Sequence, residues 1–159
     1  MFINSVLVLT LAITAIGCSG SSMKDGESPN RYVVHRDQQV TFFDAWKLCH
    51  RDGHRLATVN SFGDSAQLEE AIKAAERREK TTGVYWIGAT NVYITDQEYM
   101  WLSTNEPVKF THYAPGQPDN AWWNENCLNV GQFGGVLWND VSCASTLAYV
   151  CEEYEKVEC

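Results

Sequence analysis

The stretch from Gln117 to Cys143 interleaves cysteines with side chains that end in oxygen, and this pattern constrains the fold most strongly. The oxygens belong to Gln117, Asp119, Glu125, Asn139 and Asp140, and the cysteines are Cys127 and Cys143. A hard cation such as Ca²⁺ takes about six to eight oxygen ligands in a flexible shell. A disulfide through the same stretch would hold otherwise loose loops close enough to share one ion. We therefore expect a cross-linked, oxygen-rich loop region that carries the function.

The length of the chain and its N-terminal segment indicate the domain organisation. With 159 residues, the chain is long enough for one domain with a real core. Residues 1–17 carry no charge, and their apolar run from Val6 to Ile16 is too short to span a bilayer. This predicts a secretory signal peptide over residues 1–18, with a bacterial lipoprotein signal ending at Cys18 as the alternative. A flexible leader (19–30), a domain (31–153) and an acidic tail (154–159) are expected to follow.

The cysteine content indicates the compartment in which the protein acts, and the charge indicates which classes of partner are disfavoured. Six cysteines in a secreted chain favour disulfides over thiol chemistry. Loss of Cys18 with the signal peptide leaves an odd number, so one cysteine is free or pairs between chains. The net charge is −8 and the basic residues are scattered, which disfavours nucleic acid or an anionic membrane as a partner. The acidic residues from Glu152 to Glu155 are expected to be solvated.

Apolar periodicity predicts two helices among short strands. Thr41 is the expected N-cap of the first helix, and the second should cover residues 61–80 with Asp64 or Ser65 as its cap. Residues 103–125 show almost no periodicity, and a loop this long inside a compact domain usually serves binding. Strands are predicted at 31–39, 55–59, 84–88, 99–102, 128–130, 135–138 and 148–151.

The order of these landmarks resembles the C-type lectin-like domain from Tyr32 to Glu152. The matching features are Cys49, Trp86-Ile87-Gly88, Gln117-Pro118-Asp119, Glu125, Cys127, Trp138-Asn139-Asp140, Cys143 and Cys151. The resemblance implies an α+β fold in which two helices pack on small antiparallel sheets and the chain ends meet, with a long calcium-binding loop region. The short leader and single domain are similar to those of secreted arthropod lectins, which implies glycan recognition in innate immunity.

The resemblance also implies two disulfide bridges, Cys49–Cys151 and Cys127–Cys143, and a cis Gln117–Pro118 peptide bond. The chain-entropy model assigns roughly 4.7 kcal/mol to a closed loop of about 100 residues and roughly 3 kcal/mol to one of about 15. The long bridge should mainly stabilise the domain, whereas the short one should also hold the calcium loops. Cys159 has no counterpart in the pattern and could join two chains into a homodimer.

The resemblance implies that one Ca²⁺ and a sugar are bound by the same side chains. Coordination positions left open on the ion would take vicinal sugar hydroxyls, which the ligand side chains also hydrogen-bond. The Gln-Pro-Asp order is similar to that of family members selective for galactose or N-acetylgalactosamine, whereas Glu-Pro-Asn is similar to mannose binders. The implied metal ligands and sugar contacts are Gln117, Asp119, Glu125, Asn139 and Asp140.

Trp122 and Trp123 are expected to complete the sugar site by covering the apolar face of galactose. The alternative is that both rings are buried in the core. The chain departs from the galactose pattern at Ala121, where the aromatic residue usually stands. A second calcium site is left open, with Asn91, Asp96, Asn120, Glu125 and Asn126 as its possible ligands.

Among three classes of function, the sequence favours a calcium-dependent sugar-binding module, because its ligand set is complete. A lectin-like protein-interaction domain without sugar binding is the alternative. An enzyme is not expected, because an acid/base pair needs two carboxyl groups with divergent pKa values, whereas Ca²⁺ would hold both ionised. His50 and His54 have the spacing of a helical zinc pair, but Gly53 interrupts them and the glutamate of the metalloprotease motif is missing.

Overall fold

The computed structural model describes residues 31–92 and 98–154. The predicted signal peptide and leader, Asp96, Cys159 and all of the tail beyond Tyr154 lie outside these residues. Among the described residues, no helix is both long and apolar enough to cross a bilayer. The elements are β1 (Tyr32–Val40), α1 (Phe42–Arg51), β2 (Arg55–Leu56), α2 (Phe62–Glu79), β3 (Tyr85–Thr90), β4 (Met100–Trp101), β5 (Glu106–Pro107), a 3₁₀ turn (Ala121–Trp123), β6 (Cys127–Val130), β7 (Trp138–Val141) and β8 (Leu147–Glu152).

Both helices begin at side-chain caps, but the second cap is not the predicted one. The Thr41 hydroxyl accepts the backbone N–H of Asp44, which confirms the predicted start of α1. In α2 the cap is Ser61, whose Oγ accepts the N–H of Asp64 at 3.1 Å. Asp64 instead reaches back to accept the N–H of Asn60 at 2.7 Å. The cap therefore lies one turn before the predicted one, and Asp64 lies within the first turn, where its carboxylate accepts the N–H of the residue before the cap.

The strands form a mixed sheet, and the α+β class is confirmed. The order is β1-β8-β3-β4-β5, with β2 paired to β8 and β6 paired to β3 and β7. The antiparallel pair β1–β8 brings the two ends of the domain together, as the resemblance implies. The β3–β8 pair is parallel, so the sheets are not antiparallel throughout.

Most strands lie within or next to their predicted ranges, with two exceptions. The first is β7, which begins at Trp138 rather than at residue 135. Gly134 and Gly135 have positive φ angles of 87° and 57° and belong to the preceding turn, which no extended strand can include. The second is β5, which lies inside the region predicted as loop.

The core has two parts that together position the loop region. One lies between α2 and the sheet and contains Trp101 and Trp138, which meet edge to face at 5.8 Å. The other surrounds Phe42, Trp86 and the Cys49–Cys151 bridge. The second bridge, Cys127–Cys143, joins the start of β6 to the chain just after β7. Both disulfides that the resemblance implies are therefore present.

Glu152 corrects the expectation of a solvated acidic stretch, because it is a buried ion-pair residue at the end of β8. Its side chain is 2% exposed. The carboxylate accepts two hydrogen bonds from Arg55, each at 3.0 Å, and the N–H and hydroxyl of Thr58 at 2.9 and 2.7 Å. Arg31 Nε lies 3.0 Å from Oε1. A carboxylate can be buried only when such partners replace water, whereas Glu153 and Tyr154 are exposed.

Candidate metal centre

The loop between β5 and β6 is anchored to β7 before it reaches the predicted ligands. The N–H of Trp138 donates to the His112 carbonyl at 2.8 Å, and the N–H of Ala114 donates to the Trp138 carbonyl at 2.9 Å. Gly116 then turns the chain with a φ of 85°, which favours glycine, and the Gln117–Pro118 bond is cis, as predicted from the resemblance. These anchors direct the loop across the strand that carries Asp140.

Three carboxylates converge where the loop meets β7. Oxygen atoms of Asp119, Glu125 and Asp140 all lie within 4.8 Å of one another. They sit at three depths, since Asp140 is fully buried, Glu125 is half-buried and Asp119 is exposed. Carboxylate oxygens at this spacing fit a hard divalent cation that is approached from the solvent side.

The Asp140 carboxylate positions the loop backbone as well as facing the cluster. Its Oδ1 accepts the N–H of Asp119 at 3.1 Å, and its Oδ2 accepts the N–H of Asn120 at 2.8 Å. The Tyr99 hydroxyl lies 3.5 Å from the same Oδ2 and 3.4 Å from the Glu125 carbonyl. Hydrogen bonds to backbone N–H groups stabilise an ionised carboxylate, so Asp140 can stay buried while it holds the loop in place.

The surroundings of Glu125 disfavour the ionised form of its carboxyl group. Burial raises the pKa of its carboxyl group, the N–H of Ala121 at 3.1 Å from Oε2 opposes this, and the charges of Asp140 and Asp119 raise the pKa further. The neighbouring backbone is held by the Glu125 N–H, which donates to Oδ1 of Asn120 at 3.1 Å. Three like charges this close disfavour one another, and a bound cation would remove that repulsion.

The two neutral predicted ligands differ in their contacts. Gln117 Oε1 accepts the N–H of Asp119 at 3.2 Å, so its carboxamide oxygen lies next to an N–H of the loop that carries the exposed carboxylate. Asn139 is buried, and its amide nitrogen donates to the Asp140 carbonyl at 2.6 Å and to Gln132 at 3.2 Å. Successive side chains of a strand leave opposite faces, so the described contacts join Asn139 to the backbone of Asp140, and its role as a metal ligand stays a prediction.

The two tryptophans are fully outside the core, so the alternative of buried rings is wrong. Trp122 is 95% exposed and Trp123 is 87% exposed. Both have φ angles of 58°, in the left-handed region that bulky residues rarely adopt. The N–H of Trp123 donates to the Asn120 carbonyl at 2.9 Å, and the Asn124 side chain donates to Ser142 at 3.2 Å. The turn that carries the indoles is thus tied to the same loop that carries Glu125.

The possible second calcium site stays a prediction. Asn120 Oδ1 is used by the Glu125 N–H, and the Asn126 carbonyl accepts the N–H of Asn91 at 3.1 Å and the Thr90 hydroxyl at 2.7 Å. Its remaining candidate ligand, Asp96, lies outside the described residues.

Tyr99 and Tyr113 are the residues at this centre that the sequence did not indicate. Burial, and after it the charge of Asp140, raises the pKa of both phenols, to about 12 for Tyr113. Their rings are 6.5 Å apart on the buried side of the cluster. Tyr99 begins the β-prone run at 99–102, where an aromatic residue is more often part of the core, so no local signal marks its hydroxyl as a neighbour of Asp140.

The chain is similar in sequence to known proteins. A family model described as the Lectin C-type domain matches residues 38–153. Salivary C-type lectin 2 of Aedes albopictus is 28% identical over 134 residues, which cover 82% of this chain and 87% of that protein.

Solved structures share the fold. The carbohydrate-recognition domain of mouse scavenger receptor C-type lectin is 25% identical with a TM-score of 0.63, and the match covers 79% of this chain and 88% of that one. Herring type II antifreeze protein is 22% identical with a TM-score of 0.65, covering 79% and 91% of the two chains. The second likeness concerns the fold alone.

Proposed function

The chain belongs to the Lectin C-type domain family, and from this premise we propose that it is a secreted, calcium-dependent carbohydrate-binding protein of the galactose or N-acetylgalactosamine type. The observation that carries the proposal is the convergence of Asp119, Glu125 and Asp140 within 4.8 Å of one another. Two exposed indoles lie in the same loop.

The donor set of this centre fits Ca²⁺. Three carboxylates supply hard, negatively charged oxygens. The pKa of Glu125 is raised first by burial and then by the charges of Asp140 and Asp119, and a divalent cation would relieve that repulsion. Gln117 and Asn139 would add carboxamide oxygens at either edge, with the Asp140 carbonyl beside Asn139. When bound, Ca²⁺ supplies a centre to which vicinal hydroxyl groups of a sugar can coordinate.

The selectivity for galactose would come from hydrogen bonding and stacking. The Gln117 amide can donate to one hydroxyl, whereas the Asp119 carboxylate can only accept from another. A hydroxyl pair of the wrong geometry would leave one of these polar groups without its partner. Trp122 and Trp123 lie three and four positions after Asp119 and offer the aromatic surface that covers the apolar face of galactose.

The context of the chain supports a role outside the cell. Both described disulfides persist best in an oxidising compartment. The relative from Aedes albopictus is named as a salivary lectin. We infer that the protein recognises glycans as a secreted factor, with innate immunity as the setting. C-type lectins are generally binding proteins rather than enzymes, and no catalytic role is proposed for the carboxylates.

A glycan array tests this proposal directly. The secreted protein should bind glycans that end in galactose or N-acetylgalactosamine in millimolar Ca²⁺, and binding should disappear in calcium-free buffer and return when Ca²⁺ is restored. Binding that survives calcium removal would refute the metal-dependent mode. An array without any bound glycan, together with retained calcium binding, would instead support the alternative, a lectin-like protein-interaction domain.

A further inference from the structure

Trp122 and Trp123 form an aromatic surface larger than one sugar ring needs. They are consecutive residues, yet 95% of one side chain and 87% of the other are exposed. Neither ring can therefore cover the other. Such exposure of two large apolar side chains is uncommon and marks a surface that contacts a ligand.

The turn that presents the indoles is fixed rather than loose. The N–H of Ala121 donates to Oε2 of Glu125 at 3.1 Å, and the N–H of Trp123 donates to the Asn120 carbonyl at 2.9 Å. The backbone of both tryptophans is left-handed, which residues of this kind adopt only where surrounding contacts hold them. Glu125 belongs to the carboxylate cluster, so the backbone that carries both rings is tied to the metal centre.

One sugar ring cannot use both indoles. A ring whose hydroxyls coordinate the cation has one apolar face left to stack, and one indole covers that face. The second indole is then free for the next ring of the same glycan.

We propose that Trp122 and Trp123 form two separate subsites, so the ligand is a neutral glycan of at least two linked rings. The galactose-type terminal ring would sit on the cation and one indole, and the adjoining ring on the other indole. This inference rests on the proposed function and deepens it. A lipid bilayer would also take exposed indoles, but exposed Asp119, half-buried Glu125 and the net charge of −8 disfavour an anionic membrane.

The test compares galactose with lactose, a disaccharide with a terminal galactose, by calorimetry in saturating Ca²⁺. The variants are Trp122→Ala and Trp123→Ala, with Phe133→Ala as a matched control, since Phe133 is an exposed aromatic residue outside this loop. Calcium affinity and circular dichroism, measured on each variant, show that the centre and the fold remain.

The proposal expects lactose to bind the parent protein more tightly than galactose. One tryptophan variant should lose affinity for both sugars, whereas the other should lose only the lactose advantage. Each loss should be roughly two- to tenfold, the contribution of one stacked ring. Phe133→Ala should match the parent protein for both sugars.

Three results would overturn the two-subsite proposal while the proposed function stands. They are equal affinity for galactose and lactose in the parent protein, identical losses in both tryptophan variants, and no loss in either. Tryptophan-dependent binding to phosphatidylcholine vesicles, with unchanged sugar affinities, would assign the indoles to a bilayer. Failure of both sugars to bind in Ca²⁺ would overturn the proposed function itself, and this inference with it.

Discussion

The backbone nitrogen of Asp119 lies 3.1 Å from Oδ1 of Asp140, although 21 residues separate the two in sequence. The contact means that the deepest carboxylate of the metal centre also fixes the loop that carries the most exposed one. The loop is therefore positioned by the protein's own hydrogen bonds, so the binding of an ion loses little free energy to the ordering of the loop. Selectivity can then depend on the chemistry of the side chains rather than on loop rearrangement.

The double substitution Gln117→Glu and Asp119→Asn should shift sugar preference from galactose toward mannose. The swap exchanges donor and acceptor across the Gln117–Pro118–Asp119 turn while the net charge of the centre is unchanged. A mismatched hydroxyl leaves a polar group unpaired, which costs about 1–3 kcal/mol per group. Competition binding with both sugars, alongside a calcium titration, measures the shift. A variant that keeps its calcium affinity and the parent's sugar ranking would show that selectivity lies elsewhere.

Removal of the two disulfides should have different consequences. The Cys49–Cys151 bridge spans 102 residues and the Cys127–Cys143 bridge spans 16. Replacing the long bridge by serines should cost more stability, roughly 4.7 against 3 kcal/mol on the chain-entropy model. Replacing the short one should weaken calcium binding more, because it joins the start of β6, two residues after Glu125, to the chain just after β7, the strand that carries Asp140.

Denaturant unfolding and calcium titration of both double-serine variants test this contrast. Calcium affinities that fall equally, or fall more without the long bridge, would show that the short bridge has no special role at the metal centre.

Calcium should stabilise the protein more at neutral pH than in mild acid. In the calcium-free protein, burial and the charges of Asp140 and Asp119 raise the pKa of Glu125. The folded state then binds this proton more tightly than the unfolded chain, so calcium-free protein gains stability as the pH falls through the raised pKa. Calcium needs the ionised carboxylate and loses affinity over the same window.

The difference in Tm between calcium-loaded and calcium-free protein should therefore shrink as the pH falls. Thermal unfolding at fixed free calcium measures it at each pH. A difference that stays constant from pH 7 to about 5, just above the ordinary carboxyl range, would argue against ligation by Glu125.

Glu152→Gln should destabilise the domain by roughly 3 kcal/mol, because it leaves Arg31 and Arg55 facing a neutral group inside a buried ion-pair network. Glu153→Gln is the matched control. Glu153 is the next residue along the chain and is exposed, so the loss of its charge should change stability little. Denaturant unfolding of both variants gives the comparison. Equal stabilities would mean that the Glu152 carboxylate contributes no net stabilisation.

The sequence was informative wherever the signal was local. Thr41 marks the start of α1 because a hydroxyl there can accept a free N–H of the first turn. The cysteine and Gln-Pro-Asp spacing indicated the fold because it could be matched to a family pattern. Both kinds of inference need only residues that are close together in the chain, or that are ordered in a known way.

What the sequence missed depends on distant contacts. The local sequence predicts a solvated tail from Glu152 onward, because Arg55, the partner of Glu152 in the folded chain, lies 97 residues earlier. The Tyr99 hydroxyl could not be assigned to the centre because 41 residues separate it from Asp140. The exposure of Trp122 and Trp123, in contrast, agrees with the sequence prediction that both rings are available to a sugar, although no local residue preference favours the left-handed turn that carries them.

Whether the carboxylate cluster binds the calcium ion on which galactose binding depends can be tested by calorimetry. Calcium, followed by galactose, is titrated into the parent protein, Glu125→Gln and a Glu106→Gln control. Glu106 is exposed on β5 and lies outside the carboxylate cluster. A calcium-dependent sugar site at this cluster predicts galactose binding only in the presence of calcium, a calcium affinity at least tenfold weaker in Glu125→Gln, about 1.4 kcal/mol, and no change in Glu106→Gln. Galactose affinity that is the same with and without calcium, or a Glu125→Gln variant that binds calcium as the parent does, would contradict it.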